Sequence, residues 1–288
     1  MHQFPKYVDL EFTARCNLKC GFCFGPVDHG RKELDLKPRF WVGVIDELHR
    51  RGCEGIVVSG GEPTLYPALA ELLQHAKGLG LKIVVSTHGR HTGHVLKIAR
   101  FCDWIALPVD AATEQVLTTM RGDTWGIDAA QRLATQIKDE TGGVTQVKLG
   151  TVATAVNKDQ VRMLAEAICA VDYDCFDTWK IYQYTPRRKF RAQREIYELS
   201  DADYEKLTKS IQSTALFHRL NIVFSSNQSR RDAYLFVYPD ATVASPNNGT
   251  DFGDVVLGNL QHEGMSVLDG AQRLSFDRNA ANYETTYV

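Results

Sequence analysis

The sequence lacks the features that mark secreted, membrane-spanning or polyanion-binding proteins. No apolar run approaches the length of a membrane span, and the first six residues carry no apolar stretch like that of a signal peptide. The 33 basic and 35 acidic residues nearly cancel, which leaves a formal net charge of −2. We therefore expect a cytoplasmic protein without a membrane or nucleic-acid partner.

Cysteine is scarce and unevenly placed, with seven residues in the chain and none beyond Cys175. An odd number without a secretory context argues against a disulfide framework. Cys53, Cys102, Cys169 and Cys175 are scattered, and we expect them to be small buried hydrophobic residues. The chain can therefore hold one cysteine-ligated metal cluster at most.

The other three cysteines, Cys16, Cys20 and Cys23, lie within eight residues. Thiolates this close on one loop can converge on a single metal centre. Structural zinc and plain electron-transfer clusters usually take four protein ligands, so three ligands favour an iron–sulfur cluster with one open iron. The alternatives are a zinc knuckle, for which His29 is the nearest downstream histidine, or three cysteines that are merely close together.

Apolar segments and helical segments alternate along the first two thirds of the chain. The predicted strands are 8–13, 55–59, 82–87, 104–110, 144–154 and 174–185, and the helices between them are 35–51, 68–79, 95–101, 128–138 and 159–170. Strands that are nearly all apolar and alternate with helices predict a parallel sheet covered by helices. We expect an α/β fold, a partial (β/α)6 TIM-like barrel over residues 1–186, with an open doubly wound sheet as the alternative.

The pattern changes beyond residue 186. Residues 187–194 form a basic run, a helix is expected at 201–216, and short strands are expected at 222–224 and 234–238. From residue 249 the composition predicts irregular structure. We interpret residues 187–288 as a small C-terminal extension that packs on the barrel and covers the substrate site.

Polar and glycine-rich residues follow several predicted strands. They include the cysteine loop, the turn Gly60-Gly61-Glu62-Pro63, Ser86 and Asp110. Ligands of both candidate architectures gather at the carboxyl ends of the strands. These residues therefore predict one active site on that rim.

The cysteine spacing Cys16-x-x-x-Cys20-x-Phe22-Cys23, followed by Gly-Gly-Glu-Pro after the next strand, resembles the radical S-adenosylmethionine (SAM) superfamily. The resemblance spans about residues 8–186. It implies a [4Fe-4S] cluster on the three cysteines, with the methionine part of SAM chelating the open iron. An electron from a donor such as flavodoxin or ferredoxin would cleave SAM to a 5′-deoxyadenosyl radical, which takes a hydrogen atom from substrate.

The same resemblance implies cofactor-binding roles for seven residues. Phe22 would pack on the adenine, and glycines at two positions would let the backbone approach the SAM amine. Two strand-end residues would hydrogen-bond the ribose and amine, and an arginine would hold the SAM carboxylate as a forked partner. The predicted residues, in chain order, are Phe22, Gly60, Gly61, Glu62, Ser86, Asp110 and Arg121.

Three short segments, 16–24, 179–183 and 226–235, further resemble the viperin-like nucleotide dehydratases. That family takes a hydrogen from the ribose C4′ of a nucleoside triphosphate and releases water. The resemblance implies phosphate contacts from Lys148 and Lys180, and hydrogen-atom donation by Tyr234. Lysines facing a barrel interior need an anionic partner, although a structural salt bridge would also supply one.

Several positions depart from the viperin-like pattern. That pattern has a lysine at the position of Gly55, asparagines at those of Asp9 and Gly150, and an arginine at that of Thr178. A carboxylate at Asp9 would repel a phosphate or contact a base differently. Arg187 and Arg188 could replace missing phosphate contacts, or could form part of a solvated face. A peptide, an amino acid or an unphosphorylated sugar therefore stays open as the substrate.

Metal content distinguishes the open cluster from a structural zinc site. We expect anaerobically reconstituted protein to contain about four iron and four sulfide per chain, as four-iron ligation requires. Elemental analysis with a labile-sulfide assay measures this. One zinc per chain without sulfide would contradict the cluster assignment.

Overall fold

The computed structural model describes residues 4–25, 36–171, 173–187, 192–230, 234–246 and 254–273. Within these ranges, no helix combines the length and the apolar character that crossing a membrane would require. Arg188 and His29 lie outside the described residues.

The first six strands and the helices between them follow the expected alternation. The strands are β1 (Tyr7–Glu11), β2 (Gly55–Ser59), β3 (Lys82–Ser86), β4 (Trp104–Pro108), β5 (Gln146–Ala153) and β6 (Thr178–Gln183). The helices are α1 (Pro38–Arg50), α2 (Leu69–Gly78), α3 (Thr92–Ala99), α4 (Glu114–Arg121), α5 (Ile127–Thr141) and α6 (Lys158–Ala170).

The later part of the described chain adds shorter elements. They are α7 (Arg194–Tyr197), α8 (Asp201–Gln212), β7 (Asn221–Ser225), β8 (Phe236–Val237), β9 (Thr242–Pro246), β10 (Asp254–Asn259) and α9 (Leu260–Glu263). A 3-10 segment, Met265–Arg273, follows α9.

The strands of the described ranges join one ten-stranded sheet in the order β10-β9-β8-β1-β2-β3-β4-β5-β6-β7. The strands from β8 through β1 to β7 pair in parallel, whereas β9 and β10 pair antiparallel. The α/β fold with its partial barrel is therefore confirmed. The predicted boundary at residue 186 falls after β6, and strands from beyond it extend the sheet at both edges.

Alternation along each strand separates two cores. Outward residues such as Val8 and Leu10 of β1 pack under the helices in the main hydrophobic cluster. Inward, a second cluster of Tyr7, Val57, Val84 and Trp104 closes the amino-terminal end of the barrel. Because side chains two apart share a face, the next inward residue of β1, Asp9, lies one layer above Tyr7 and in register with Val57 of this apolar plug.

Three expectations were wrong in detail. The segment after residue 249 is not irregular throughout, because 254–259 pairs with β9 as β10 and α9 follows it. Strand β6 begins at Thr178 rather than at 174, since a 3-10 turn precedes it. Cys169 is exposed on α6, whereas Cys53, Cys102 and Cys175 are buried as expected.

Gly55 makes room for the plug residue Tyr7. A Cβ at Gly55 would overlap the Tyr7 ring and lie 2.7 Å from the carbonyl oxygen of Lys82. We expect Gly55→Ala to lower the free energy of unfolding by about 1–3 kcal/mol, the usual cost of overpacking. Denaturant titration measures this. Gly78→Ala is the matched control, because a Cβ there meets no atom within 4 Å; equal stability of the two variants would contradict the prediction.

Candidate active site

A cavity of about 340 Å³ opens at the carboxyl ends of the barrel strands. It brings together thirteen of the residues proposed from the sequence: Asp9, Cys16, Cys20, Phe22, Cys23, Gly60, Gly61, Glu62, Ser86, Asp110, Arg121, Lys148 and Tyr234. Lys180 and Arg187 are buried close by but are not among the described lining residues.

The three cysteines project from the loop after β1, and none of them forms a disulfide. The Gly21 N–H donates to the carbonyl oxygen of Met120 at 3.2 Å, which ties this loop to the end of α4. Burial raises the pKa of Cys16 to about 11 and that of Cys23 to about 12. Because metals bind the thiolate, loading of a cluster releases these protons.

The backbone of the Gly-Gly-Glu turn is hydrogen-bonded directly to the backbone at the start of the cysteine loop. The Gly61 N–H donates to the carbonyl oxygen of Thr13 at 2.8 Å, and the Glu62 N–H donates to that of Arg15 at 2.7 Å. A Cβ at Gly61 would overlap the Arg15 carbonyl, and Gly60 has a φ of +112° that disfavours other residues. These two glycines therefore let the turn after β2 lie directly against the backbone of the loop after β1. The sequence alone did not show this reason for the glycines.

The buried Glu62 carboxylate accepts four hydrogen bonds from the protein. It accepts hydrogen bonds from Thr64 N at 3.1 Å, Thr64 Oγ1 at 2.6 Å, Thr87 Oγ1 at 2.6 Å and His88 N at 2.8 Å. Glu62 is 1% exposed, so these donors replace its lost hydration. Glu62 thus joins the turn after β2 to the end of β3.

His88 links that network to the cysteine loop. The Arg90 N–H donates to His88 Nδ1 at 3.1 Å, so the ring proton is on Nε2 and is donated to Asn17 Oδ1 at 2.7 Å. Burial lowers the pKa of His88 to about 4, against the opposing effect of Glu62. His88 is therefore neutral, and its 3.4 Å approach to Glu62 is not an ion pair.

His91 completes the support of Asn17. Asn17 Nδ2 donates to His91 Nε2 at 3.4 Å, so the His91 Nδ1–H is the donor to Thr64 Oγ1 at 2.7 Å. Ligand atoms of Glu62, His88 and His91 lie within 4.8 Å of one another, a spacing that could hold a metal ion. Because hydrogen bonds engage these side chains, they act as a support for the cysteine loop.

The sequence reasoning missed this support. His88 lies two residues after Ser86, which was selected as a strand-end residue, and Asn17 follows directly on Cys16. The sequence could therefore have placed His88 and Asn17 at the rim of the barrel. It could not have predicted the hydrogen bond between them, because that bond depends on how two loops 71 residues apart meet.

Asp110 and Arg121 form a buried ion pair on the side of the cavity near the cysteines. Arg121 Nη1 lies 2.8 Å from Asp110 Oδ2, and the Val152 N–H donates to Asp110 Oδ1 at 2.8 Å. Within the described residues, Arg121 Nε is buried without a hydrogen-bond partner. The guanidinium carbon lies 5.9 Å from the centroid of the Phe22 ring. Arg121 thus keeps one donor available beside the cysteines.

The floor of the cavity combines acidic and basic side chains. Asp9 and Lys148 are 6% and 2% exposed and interact electrostatically. Burial lowers the pKa of Lys148 to about 8, with Asp9 opposing the shift. Lys180 is 4% exposed, and its Nζ lies 5.0 Å from the centroid of the Tyr182 ring. The phosphate contacts expected of both lysines stay a prediction.

Arg187 lies at the seam between the barrel and the C-terminal strands. Its Nη2 pairs with the Asp254 carboxylate of β10 and donates to Tyr238 Oη at 3.1 Å. Its guanidinium carbon lies 4.3 Å from the centroid of the Phe24 ring and 5.2 Å from that of the Phe236 ring. Arg187 is therefore buried, so the alternative of a solvated face was wrong for this residue, and a phosphate contact from Arg187 stays a prediction.

Tyrosines line the side of the cavity near β6 and β8. Tyr234 lies just before β8, with its ring 5.9 Å from that of Phe236. Tyr182 and Tyr184 also line the cavity, and burial raises the pKa of Tyr184 to about 12. The resemblance had selected only Tyr234, so the structure adds two tyrosines to the candidate site.

Residues 10–166 match the sequence model of the Radical SAM superfamily. Because the match covers more than half of the chain, this protein belongs to that superfamily and is an enzyme of the radical SAM class. Members of the superfamily use a [4Fe-4S] cluster and SAM.

Two similar curated proteins are S-adenosylmethionine-dependent nucleotide dehydratases. The one from Flammeovirga pacifica is 24% identical over 265 residues, which are 84% of this chain and 83% of that protein. The one from Thermoplasmatales archaeon (strain ISO4-H5) is 31% identical over 108 residues, which are 37% of this chain and 38% of that protein.

Solved structures of other radical SAM enzymes share the fold. Streptococcus suis SuiB bound to SAM superposes with a TM-score of 0.70 at 16% identity, over 93% of this chain and 65% of SuiB. The structure of anSMEcpe with bound SAM and a peptide gives a TM-score of 0.65 at 18% identity, over 91% of this chain and 79% of that one. At these identities the likeness concerns the fold alone.

The cavity fits the cluster and SAM. Three cysteine sulfurs line it with no fourth cysteine among the described lining residues, which matches a cluster with one open iron. The buried Nε of Arg121 lacks a partner in the described chain and suits a carboxylate, and the nearby Asp110 suits an amine. The roles of individual cofactor residues stay predictions.

The His88 support generates a test on the protein without its cofactors. We expect His88→Phe to lower the free energy of unfolding by about 1–3 kcal/mol and to speed amide exchange at residues 16–20, because Asn17 loses a buried partner. Hydrogen exchange with mass spectrometry measures the second effect.

His94→Phe is the matched control for this test. The His94 side chain is exposed, and its ring lies 5.9 Å from that of His91. Unchanged exchange at residues 16–20 in the His88 variant would show that His88 does not position the cysteine loop.

Proposed function

We propose that this radical SAM enzyme removes a hydrogen atom from the sugar of a nucleotide or related phosphorylated sugar, followed by loss of water. When bound, the cluster and SAM supply the one-electron chemistry that removes a hydrogen atom. The residues of this chain bind the substrate and orient it toward that chemistry.

One observation carries the proposal. Lys148 lies on the cavity floor, 2% exposed, in the same cavity as the three cysteines. A buried ammonium is costly, and an anionic ligand such as a phosphate offsets that cost. The names of the two similar dehydratases support a nucleotide as the bearer of the phosphate.

Each part of the cavity has a task in this proposal. Lys148 and Lys180 hold the phosphate end, which sets the distance between the sugar and the cysteine loop. Phe22, Asp110 and Arg121 hold SAM, with Ser86 and the Gly60-Gly61 turn beside it. Tyr234 returns a hydrogen atom late in the reaction, and the closed plug below Asp9 keeps the substrate near the rim.

The test is a panel assay under strict anaerobiosis. Reconstituted, reduced enzyme and SAM are incubated with each common nucleotide, and 5′-deoxyadenosine and dehydrated products are measured by mass spectrometry. Substrate-dependent 5′-deoxyadenosine with a product lacking water is the expected result. Stimulation only by peptides, amino acids or unphosphorylated sugars would overturn the nucleotide assignment and favour those substrates.

Lys148 provides a pH-dependent prediction. With its pKa lowered to about 8, Lys148 is a cation below that pH and neutral above it. We therefore expect affinity for the phosphorylated substrate to weaken as pH rises through about 8. Lys148→Met should lower kcat/KM by about 10- to 100-fold, the usual range for a lost charge-assisted hydrogen bond, and should remove this pH dependence.

Calorimetric binding with SAM but no reductant measures the affinity across the pH range. Lys97→Met on the exposed face of α3 is the matched control and should behave as wild type. A Lys148 variant with unchanged affinity and pH profile would count against phosphate binding at this lysine.

A further inference from the structure

Three aromatic side chains line the side of the cavity where β8 pairs with β1. The ring centroids of Phe24 and Phe236 lie 6.0 Å apart, and those of Tyr234 and Phe236 lie 5.9 Å apart. We call Phe24, Tyr234 and Phe236 the aromatic wall. Phe236 is 3% exposed, yet it belongs to none of the apolar core clusters of the described residues. The aromatic wall is therefore part of the cavity and not an extension of the core.

Arg187 holds two rings of the aromatic wall in place. Its guanidinium carbon lies 4.3 Å from the centroid of the Phe24 ring and 5.2 Å from that of the Phe236 ring. Arg187 is 1% exposed and is not among the described lining residues, so it contacts the rings from the side away from the cavity. Asp254 and Tyr238 fix the guanidinium in turn. The wall is therefore ordered before a ligand enters, which lowers the entropy cost of binding.

A carboxyl group lies beside the aromatic wall at the same level of the sheet. Asp9 of β1 pairs in register with Phe236 of β8, and the Asp9 N–H donates to the carbonyl oxygen of Leu235 at 2.8 Å. The Asp9 side chain lines the cavity, and its Oδ2 is buried without a hydrogen-bond partner in the described part of the chain. Burial raises the pKa of Asp9 well above its usual range, against the opposing effect of Lys148, and so favours a neutral carboxyl. Such a group donates one hydrogen bond and accepts others.

The aromatic wall and Asp9 together suit a flat heterocycle. A hydrocarbon ring would leave the buried carboxyl without a partner, and a sugar would leave the aromatic faces uncovered. A nucleobase stacks on aromatic side chains through its face and presents hydrogen-bond donors and acceptors at its edge. Phe22, to which the resemblance assigns the adenine of SAM, belongs to a separate cluster with Met120, Tyr184 and Tyr197. The aromatic wall can therefore take a second ring.

We propose that the aromatic wall stacks the base of a nucleotide substrate and that Asp9 hydrogen-bonds the edge of that base. The substrate is then a nucleotide and not a phosphorylated sugar that lacks a base. This inference rests on the proposed function, and it selects one of the two substrate classes that the proposed function includes.

The first experiment compares each nucleotide with the ribose phosphate that carries the same number of phosphates and lacks only the base. Reconstituted wild type with SAM is titrated with both, without reductant, for each common base, and binding is measured by calorimetry. We expect at least one nucleotide to bind at least about tenfold more tightly than its ribose phosphate, because stacking of the base contributes that much. Release of 5′-deoxyadenosine after reduction, measured in parallel, identifies the nucleotide that is the substrate.

Phe236→Leu keeps an apolar side chain and removes the ring. We expect it to weaken binding of that nucleotide by about tenfold and to leave binding of the ribose phosphate unchanged, because only the base contacts the ring. Phe217→Leu is the matched control, since it makes the same change in the 3-10 segment Ala215–His218, and Phe217 is not among the described lining residues. Iron content and circular dichroism establish that each variant is folded and loaded.

Asp9→Asn and Asp9→Leu test the contact with the edge of the base. Asparagine keeps a donor and an acceptor, so we expect nucleotide affinity within about threefold of wild type. Leucine removes both and should weaken nucleotide binding by about tenfold without affecting the ribose phosphate. Wild-type nucleotide affinity in folded Asp9→Leu would overturn the role of Asp9.

The outcomes separate this inference from the proposed function. Equal affinity of wild type for nucleotides and their ribose phosphates would overturn the inference and leave a phosphorylated sugar as the substrate; this comparison needs no variant to fold. Unchanged nucleotide affinity in folded Phe236→Leu, or a loss of its affinity for SAM, would show that the aromatic wall does not hold the base of the substrate. If neither nucleotides nor ribose phosphates bind or stimulate 5′-deoxyadenosine, the proposed function itself fails.

Discussion

The site depends on one backbone crossing, where the turn after β2 lies against the loop after β1. Two hydrogen bonds, Gly61 N–H to Thr13 O at 2.8 Å and Glu62 N–H to Arg15 O at 2.7 Å, continue the parallel ladder past the ends of both strands. The cysteines follow on one side of this crossing, and the Glu62 network follows on the other. A side chain in place of either glycine would separate the two loops, and the cysteines would lose their fixed position.

Charge is distributed in the cavity according to depth. Asp110 and Arg121 form an ion pair at 2.8 Å beside the cysteines. At the floor, Asp9 and Lys148 face each other above an apolar plug. Burial raises the pKa of Asp9 and lowers that of Lys148, so it favours the neutral form of each group. The two pairs of charged residues thus lie at different depths of one barrel.

Arg187 connects the barrel to the strands added after it. It pairs with Asp254 of β10 and lies over Phe24, which follows the last cysteine of the loop, and over Phe236 of β8. Removing one partner of a buried ion pair leaves the other charge uncompensated, so the seam and the edge of the cysteine loop depend on each other. An arginine that looks like a solvated surface residue in the sequence thereby becomes a structural contact.

The sequence by itself determined the parallel sheet covered by helices, since apolar strands alternating with amphipathic helices leave few other arrangements. It also predicted the cluster ligands, since three cysteines within eight residues are a local pattern. The rim residues followed from strand order. Only the tertiary structure decided the partners of Asn17, Glu62, Asp9 and Arg187, because each lies opposite residues distant in sequence. Whether a buried charged side chain binds substrate or supports the fold depends on those partners. The partners are brought together by strand register and by the crossing of loops, and no local sequence pattern encodes either.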